Sequence, residues 1–150
     1  MKYYTVKRYG HERGLSCAFR QWRAQHSHCR FLHGYSIAVE LTFSTEHLDS
    51  RNWCIDFGDL DEIKKWLEDQ FDHKTLVAED DPNLDWYKEA ARLGVIEINI
   101  VKNVGCERMS EMIFERVNQW LEDKDLFLRV KLEKVSVWEH DSNGAAVTLR

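Results

Sequence analysis

One short stretch of the chain, residues 29–35 (Cys-Arg-Phe-Leu-His-Gly-Tyr), holds side chains that can do chemistry. Cys29 offers a thiol, which acts as a nucleophile or a proton carrier, and His33 offers an imidazole, which acts as a base or a metal ligand. His33 and Tyr35 are two residues apart, so an extended backbone directs both side chains to one face. The simpler alternative is a cysteine and a histidine that only pack at the start of a strand. The spacing indicates a candidate site at the entrance of that strand.

A second candidate pair, Asp72 and His73, follows a stretch with helical periodicity. A histidine gains from the negative end of a helix, and a neighbouring aspartate fixes its tautomer and raises its basicity. Such a pair suits proton transfer, although an ordinary helix C-terminus has the same composition.

Two glutamates complete the set of candidate residues. Glu139 ends an apolar strand pattern, where its carboxylate can accept two parallel N–H bonds from a heterocycle such as guanine or a pterin. Glu107 opens a second helical pattern, where it either binds a ligand or simply complements the helix dipole.

The composition is typical of a globular protein. The 150 residues, 43% hydrophobic and 31% charged, suffice to bury an ordinary core, so we expect a single domain over residues 1–150. No apolar run reaches the roughly 18 residues of a membrane span, and the first residues do not resemble a signal peptide. We therefore expect a cytoplasmic protein with no membrane partner.

Cysteine spacing and charge exclude two further classes. The four cysteines are scattered without a Cys-x-x-Cys pair, which indicates reduced thiols rather than a disulfide framework. The net charge of −5 comes without a basic block, so nucleic acid is not an expected partner.

Hydrophobic periodicity predicts strands, then helices, then strands. Strands are predicted over residues 2–9, 15–19, 35–43, 95–101, 126–138 and 145–149, with Asn143-Gly144 as the hairpin turn before the last one. Helices are predicted over residues 57–71, 82–94 and 109–121. These elements predict an α+β domain with antiparallel hairpins and two main helices on one sheet face. A symmetric homo-oligomer would cover the edges and the other face of so small a sheet.

Six segments, in order, resemble the 6-pyruvoyltetrahydropterin synthase superfamily, and within it the bacterial 6-carboxytetrahydropterin synthases. Residues 29–35 stand where the family has C-x3-H-G-H, and the three-residue gap favours the carboxy synthases over the animal pyruvoyl enzymes. The other segments are residues 15–20 (F-x-A-x-H-R), 55–60 (V-x-D-F-x-x-L), 71–76 (L-D-H-x-x-L), 104–107 (P-T-x-E) and 135–140 (V-x-V-x-E-T). The resemblance implies an antiparallel four-stranded sheet of the tunnelling-fold type in an oligomeric barrel, most simply a homohexamer.

The resemblance also implies a reaction and the residues that serve it. The reaction is the conversion of 7,8-dihydroneopterin triphosphate to 6-carboxytetrahydropterin, for 7-deazaguanine (preQ0 and queuosine) biosynthesis. Proton transfer is assigned to Cys29, Asp72 and His73, and substrate binding to Glu139, Glu107 and Tyr35. Candidate triphosphate contacts are Arg20, Arg23, Arg30 and Lys74. The alternatives are a pyruvoyl- or sepiapterin-type pterin lyase and a non-catalytic pterin-binding paralogue.

The zinc site that the resemblance implies is where the chain departs from the family pattern. The family binds zinc with three histidines, of which only His33 is present, because Phe19 and Tyr35 occupy the other two positions. A catalytic zinc takes three protein ligands. Three alternatives stay open: replacement ligands beside His33, drawn from His26, His28, Cys17 and Cys29; a metal-free reaction with Tyr35 as a phenolic proton carrier; or a binding protein that lacks the reaction.

Overall fold

A computed structural model describes residues 1–149 of the chain, with seven strands and three helices. The strands are β1 Tyr3–Tyr9, β2 Leu15–Phe19, β3 His33–Thr45, β4 Lys74–Ala78, β5 Glu97–Val101, β6 Lys131–His140 and β7 Asn143–Thr148. The helices are α1 Asp61–Phe71, α2 Leu84–Arg92 and α3 Cys106–Asp123. Within the described residues no helix has the length and apolar character needed to cross a membrane.

The 13-residue strand β3 organises the sheet. Its residues 33–37 pair antiparallel with β2. Farther along, residues 39–45 pair with β1 at one edge, and residues 38–44 pair with β6 at the other edge. Strand β7 then adds antiparallel to β6. The start of β3, which carries the residues singled out from the sequence, is thus held against β2.

The sheet is mixed and seven-stranded, so the prediction of a four-stranded antiparallel sheet is wrong. Its order is β5-β4-β2-β3-β6-β7, with β1 paired to β3. The β2–β4 and β4–β5 pairings are parallel, whereas β1, β3, β6 and β7 form the antiparallel part. Strand β4 is not predicted from the sequence, because four of its five residues are buried in succession. A strand covered on both faces has no alternating pattern to recognise.

All three helices contact the sheet, whereas the prediction gave this role to two main helices. Helix α1 lies against β2 and β4, α2 against β4 and β5, and α3 against β6 and β7. The apolar stripes of α1 and α3 are buried as the periodicity predicts, for example Ile63 and Leu67 on α1 and Ile113 and Val117 on α3. The two helices are also joined directly, because α3 residue Trp120 donates from Nε1 to Glu62 of α1 at 2.8 Å.

The last hairpin turns earlier than predicted. Asn143 already pairs with His140, and Gly144 pairs with Trp138, so the turn lies at residues 141–142. A Cβ atom at Gly144 would lie 2.6 Å from the Trp138 ring. Glycine is needed at this position because the indole packs against the backbone, and not because of a turn.

The strand predicted over residues 126–138 begins only at Lys131. Its first part is a helix-like turn, in which the Val130 N–H donates to the Leu126 carbonyl at 2.8 Å. In this turn after α3, Val130 is buried and Leu126 packs against the core, whereas Leu128 is exposed.

Candidate functional site

The candidate site is built where β2 meets the start of β3. The antiparallel register places Phe19 opposite His33 and Cys17 opposite Tyr35. Phe19 and Cys17 are both buried, and the ring centroids of Phe19 and Tyr35 are 6.0 Å apart. A Cβ atom at Gly34 would lie 2.6 Å from the Cys17 carbonyl oxygen. Glycine is therefore required between His33 and Tyr35 for the two strands to approach.

Both ring nitrogens of His33 are engaged. Its Nδ1 lies 2.6 Å from the Phe31 carbonyl oxygen, and because a carbonyl only accepts, this nitrogen carries the proton. With one proton on the ring, Nε2 has the lone pair and accepts from the Tyr35 hydroxyl at 2.7 Å. The two rings meet edge to face, with centroids 5.2 Å apart. His33 and Tyr35 are thus a hydrogen-bonded pair anchored on the backbone.

Glu139, near the end of β6, lies close to three proton-bearing side chains. Burial raises the pKa of Tyr35, Cys17 and Cys106, and the negative charge of Glu139 raises each of them further. The pKa of Cys17 and the pKa of Cys106 both reach about 12. The site therefore combines a half-buried carboxylate with a phenol and two thiols that keep their protons at neutral pH.

Cys29 lies on a short 3-10 turn, His28–Arg30, that leads into β3. Its backbone N–H donates to the Ser27 hydroxyl at 3.1 Å, and its carbonyl accepts from the Gln21 N–H at 2.8 Å. The Cys29 side chain is exposed, and a negative charge on its sulfur raises the pKa of Tyr35. Cys29 is thus within electrostatic range of the Tyr35 side of the site.

The Asp72–His73 pair lies at the junction of α1 and β4. The Nδ1 of His73 is 2.8 Å from an Asp72 carboxylate oxygen, which leaves Nε2 free on a side chain that is 82% exposed. His73 has a φ of 58°, a left-handed conformation that its N–H stabilises by donating to the Ser16 carbonyl at 2.6 Å. Among residues 1–149, no hydrogen bond joins this pair to Cys29.

Glu107 lies in the first turn of α3, directly after Cys106. Its side chain is exposed, and its charge is a further cause of the raised pKa of Cys106. Gly105, at the start of the helix, has a φ of 110°, and a Cβ atom there would lie 2.6 Å from the Gln21 amide nitrogen. Glu107 therefore stands at the rim of the site, on a helix start that only glycine fits.

Three of the four candidate phosphate-binding cations are committed to carboxylates. The pairs are Arg20–Asp81, Arg23–Asp80 and Lys74–Glu97. Arg30 instead donates to the Gln25 carbonyl at 2.7 Å and lies over the Phe31 ring. Adjacent to Cys29 in sequence, Arg30 is the candidate cation best placed to meet an anionic ligand.

The side chains around His33 do not fit the zinc site that the resemblance implies. Phe19 has no donor atom, and the Nε2 lone pair of His33 accepts from Tyr35. His26 and His28 are exposed on the preceding loop. In the part of the chain that the structure describes, there is no group of three or more histidine, cysteine or acidic side chains that could hold a metal. The structure therefore does not bring His26, His28 and His33 together as ligands.

Cys106 is a site residue that no pattern in the sequence identifies. The inward alternation of Leu15, Cys17 and Phe19 on β2 is readable from the sequence. The position of Cys106 near Cys17 depends on how α3 docks against the sheet. Hydrophobic periodicity does not indicate how a helix docks. Placing Cys106 beside Glu139 required the tertiary structure.

The chain is similar in sequence to one pterin synthase and similar in fold to another. The chain is 27% identical over 119 residues to the 6-carboxy-5,6,7,8-tetrahydropterin synthase of Aquifex aeolicus (strain VF5), a match that covers 78% of this chain and 74% of that protein. A solved structure of an uncharacterized protein from Wolinella succinogenes has the same fold, with a TM-score of 0.84, 18% identity, and 100% and 99% of the two chains covered. The 6-pyruvoyl tetrahydropterin synthase of Plasmodium vivax also shares the fold, with a TM-score of 0.70, 17% identity, and 98% and 97% covered. The sequence profile of the 6-pyruvoyl tetrahydropterin synthase family matches residues 10–149, and the chain therefore belongs to that family.

Proposed function

We propose that the protein is a lyase of the 6-carboxytetrahydropterin synthase type. Its reaction converts 7,8-dihydroneopterin triphosphate and water to 6-carboxytetrahydropterin, acetaldehyde and triphosphate, as a step toward 7-deazaguanines. The observation that carries the proposal is the clustering of Glu139, Tyr35 and Cys29 at one end of the β2–β3 pair. The similarity to the Aquifex aeolicus 6-carboxy-5,6,7,8-tetrahydropterin synthase supports it.

In this proposal Glu139 anchors the ring of the substrate. The amidine-like edge of a pterin offers two parallel N–H groups, and a carboxylate accepts both in one plane. Glu139 suits this role because it is half-buried, so that water competes less for its oxygens. Glu107, in the first turn of α3, is assigned to contact the exposed side of the same ligand.

Proton transfer at the side chain of the substrate is assigned to Cys29, assisted by the Asp72–His73 pair. The exposed thiol of Cys29 is open to a ligand, and the Asp72 carboxylate fixes the tautomer that leaves the His73 Nε2 available. Since no hydrogen bond among residues 1–149 joins the two, we propose that Cys29 of one copy and the Asp72–His73 pair of a second copy form the complete site. A homohexamer is the assembly that we expect.

A product assay with one substitution tests the function. Cys29→Ala is expected to lower turnover of 7,8-dihydroneopterin triphosphate by about 10²- to 10⁴-fold, the usual contribution of a positioned proton carrier. Its affinity for the pterin should remain that of the wild type. Product formed at the wild-type rate by Cys29→Ala would remove the proton-transfer role.

The ring anchor is tested by binding. Glu139→Ala is expected to weaken pterin affinity roughly 10- to 100-fold, because it removes hydrogen bonds to a charged acceptor. Glu133→Ala is the matched control, since Glu133 lies on the same strand but pairs with Lys2 and Ser44 away from the site. Equal affinities of the two variants would show that the pterin binds elsewhere.

A non-catalytic pterin-binding protein is the second candidate function. It is favoured by one observation, the presence of Phe19 and Tyr35 where the family has zinc ligands. Tight binding of the pterin triphosphate to wild-type protein, without turnover and without an effect of Cys29→Ala, would support this candidate over the lyase.

A further inference from the structure

The positions of the implied zinc site converge in this protein, although their side chains are not zinc ligands. Phe19 lies directly opposite His33 in the β2–β3 register. Tyr35, two residues after His33, points to the same face, and its ring centroid is 6.0 Å from that of Phe19 and 5.2 Å from that of His33. We refer to Phe19, His33 and Tyr35 as the aromatic cluster.

The aromatic cluster does not offer a metal ion three free donor atoms. Zinc needs a free lone pair on each ligand nitrogen and, in catalytic sites, three protein ligands. Phe19 supplies none. The only lone pair of His33 accepts from the Tyr35 hydroxyl at 2.7 Å, because the other ring nitrogen donates to the Phe31 carbonyl.

The same arrangement leaves Tyr35 able to bind a hydroxyl group. A phenol that donates its proton to His33 keeps lone pairs on its oxygen, which can accept from a ligand hydroxyl. Tyr35 also lies within hydrogen-bonding range of Glu139, the proposed ring anchor, so the carboxylate is a second acceptor for the phenol proton beside His33. A hydroxylated side chain that extends from a ring held at Glu139 would therefore meet the Tyr35 oxygen.

We propose that the aromatic cluster replaces the metal site with a metal-independent hydrogen-bond site, in which Tyr35, oriented by His33, binds a side-chain hydroxyl of the ligand. The identity of the ligand as a polyhydroxylated pterin rests on the proposed function. The inference that His33 is not part of a zinc site does not depend on the proposed function. Tyr35 contacts the ligand, and His33 is a positioning residue that acts through Tyr35.

Zinc titration of the purified, chelator-treated protein tests the metal part without any activity assay. Wild-type protein is expected to bind no stoichiometric zinc by elemental analysis after gel filtration. Phe19→His/Tyr35→His restores three converging imidazoles and is expected to bind about one zinc per chain. The matched control Phe19→His/His33→Ala/Tyr35→His should lose that zinc.

Two outcomes overturn the metal part. One is stoichiometric zinc in the wild type that His33→Ala removes, since this would make His33 a ligand as it stands. The other is a folded Phe19→His/Tyr35→His variant that binds no zinc, since this would show that the three positions do not converge.

The hydroxyl-binding part is tested by comparing the binding of two ligands. This test does not depend on the folding of the histidine variants. Tyr35→Phe keeps the ring and removes one hydroxyl. It is expected to weaken the binding of neopterin, which carries side-chain hydroxyls, roughly tenfold, while leaving 6-methylpterin, which carries none, unchanged. Equal loss for both ligands would overturn the role of Tyr35. If wild-type protein binds neither pterin, the proposed function and the Tyr35 role both fail, and the zinc titration still decides the metal part.

Discussion

At the scale of single residues, burial keeps the side chains of the candidate site protonated, and Glu139 reinforces this effect. Its charge adds to burial in raising the pKa of Cys17, Cys106 and Tyr35. A thiol with a pKa of about 12 has almost no thiolate at neutral pH and reacts slowly with electrophiles. Cys29 differs because it is the exposed cysteine.

This difference predicts one fast-reacting thiol per chain. At pH 7.5, iodoacetamide is expected to label Cys29 first, while Cys17 and Cys106 react only as the pH approaches 12 or when the protein unfolds. Peptide mass spectrometry after short labelling times measures the order. Cys29→Ala is the control and should lack the fast phase. Labelling of Cys17 or Cys106 in the native protein at the rate of Cys29 would contradict their burial beside Glu139.

At the scale of elements, an ion pair ties the segment after β2 to the segment between β4 and α2. The buried Asp81 carboxylate accepts two hydrogen bonds from Arg20, at 2.8 and 2.6 Å, and one from the Asn83 N–H at 2.8 Å. Arg20 follows Phe19, so this contact also fixes the end of the strand that forms the aromatic cluster. Burial alone raises the pKa of Asp81, but the hydrogen bonds from Arg20 and Asn83 outweigh it and lower the pKa.

Asp81→Asn is expected to lower the free energy of unfolding by about 1–3 kcal/mol at pH 7, because it removes the charge that Arg20 binds. A lowered pKa in the folded state gives stability that is fully present above the unfolded value, near 3.9 for aspartate, and is lost as the pH falls through the folded value. The difference between wild type and variant should therefore shrink below about pH 4.

Urea unfolding at pH 7 and pH 3 measures this difference. Asp80→Asn is the matched control, because Asp80 pairs with a largely exposed Arg23 and should change stability little. A difference between wild type and Asp81→Asn that stays constant with pH would show that the Asp81 charge is not what stabilises the fold.

Elements with a clear hydrophobic period are predictable from this sequence, and buried or closely packed ones are not. The alternation of Ile37, Val39 and Leu41 identifies β3, and the spacing of Ile63 and Leu67 identifies α1. Strand β4 is missed because its residues are buried without alternation. The Asn143-Gly144 pair resembles a turn, but Gly144 accommodates the Trp138 ring.

The candidate site shows the same division. The chemistry of Cys29, Asp72-His73 and Glu139 is suggested by residue type and neighbours along the chain. Which of them meet depends on strand register and helix docking. The register brings Phe19 to His33, and the docking of α3 brings Cys106 to Glu139, and neither is encoded in a local pattern.

At the scale of the whole molecule, the sheet has open edges. Strands β1, β5 and β7 each lack a second partner strand along their full length in the described residues, and open edges favour pairing with another chain. Exposed aromatic residues, among them Tyr4, Trp53 and Phe57, line a groove of about 370 Å³ beside β1. These surfaces are consistent with the homo-oligomer that we propose.

The assembly predicts complementation between inactive variants. Cys29→Ala and His73→Ala are each expected to be inactive, but co-refolded mixtures should regain roughly a quarter of wild-type turnover, because some sites then receive both intact groups from different copies. Light scattering should give a homohexamer for the wild type. A monodisperse monomer at micromolar concentration, or no regained turnover in mixed oligomers, would contradict a site shared between copies.

We propose that this chain carries out pterin chemistry without a metal. Liquid chromatography and mass spectrometry of products from 7,8-dihydroneopterin triphosphate test it, using chelator-treated wild-type protein with and without added zinc. We predict 6-carboxytetrahydropterin and acetaldehyde at the same rate in both samples. Product that forms only after zinc is added, or no product in either sample from folded protein, would contradict the claim.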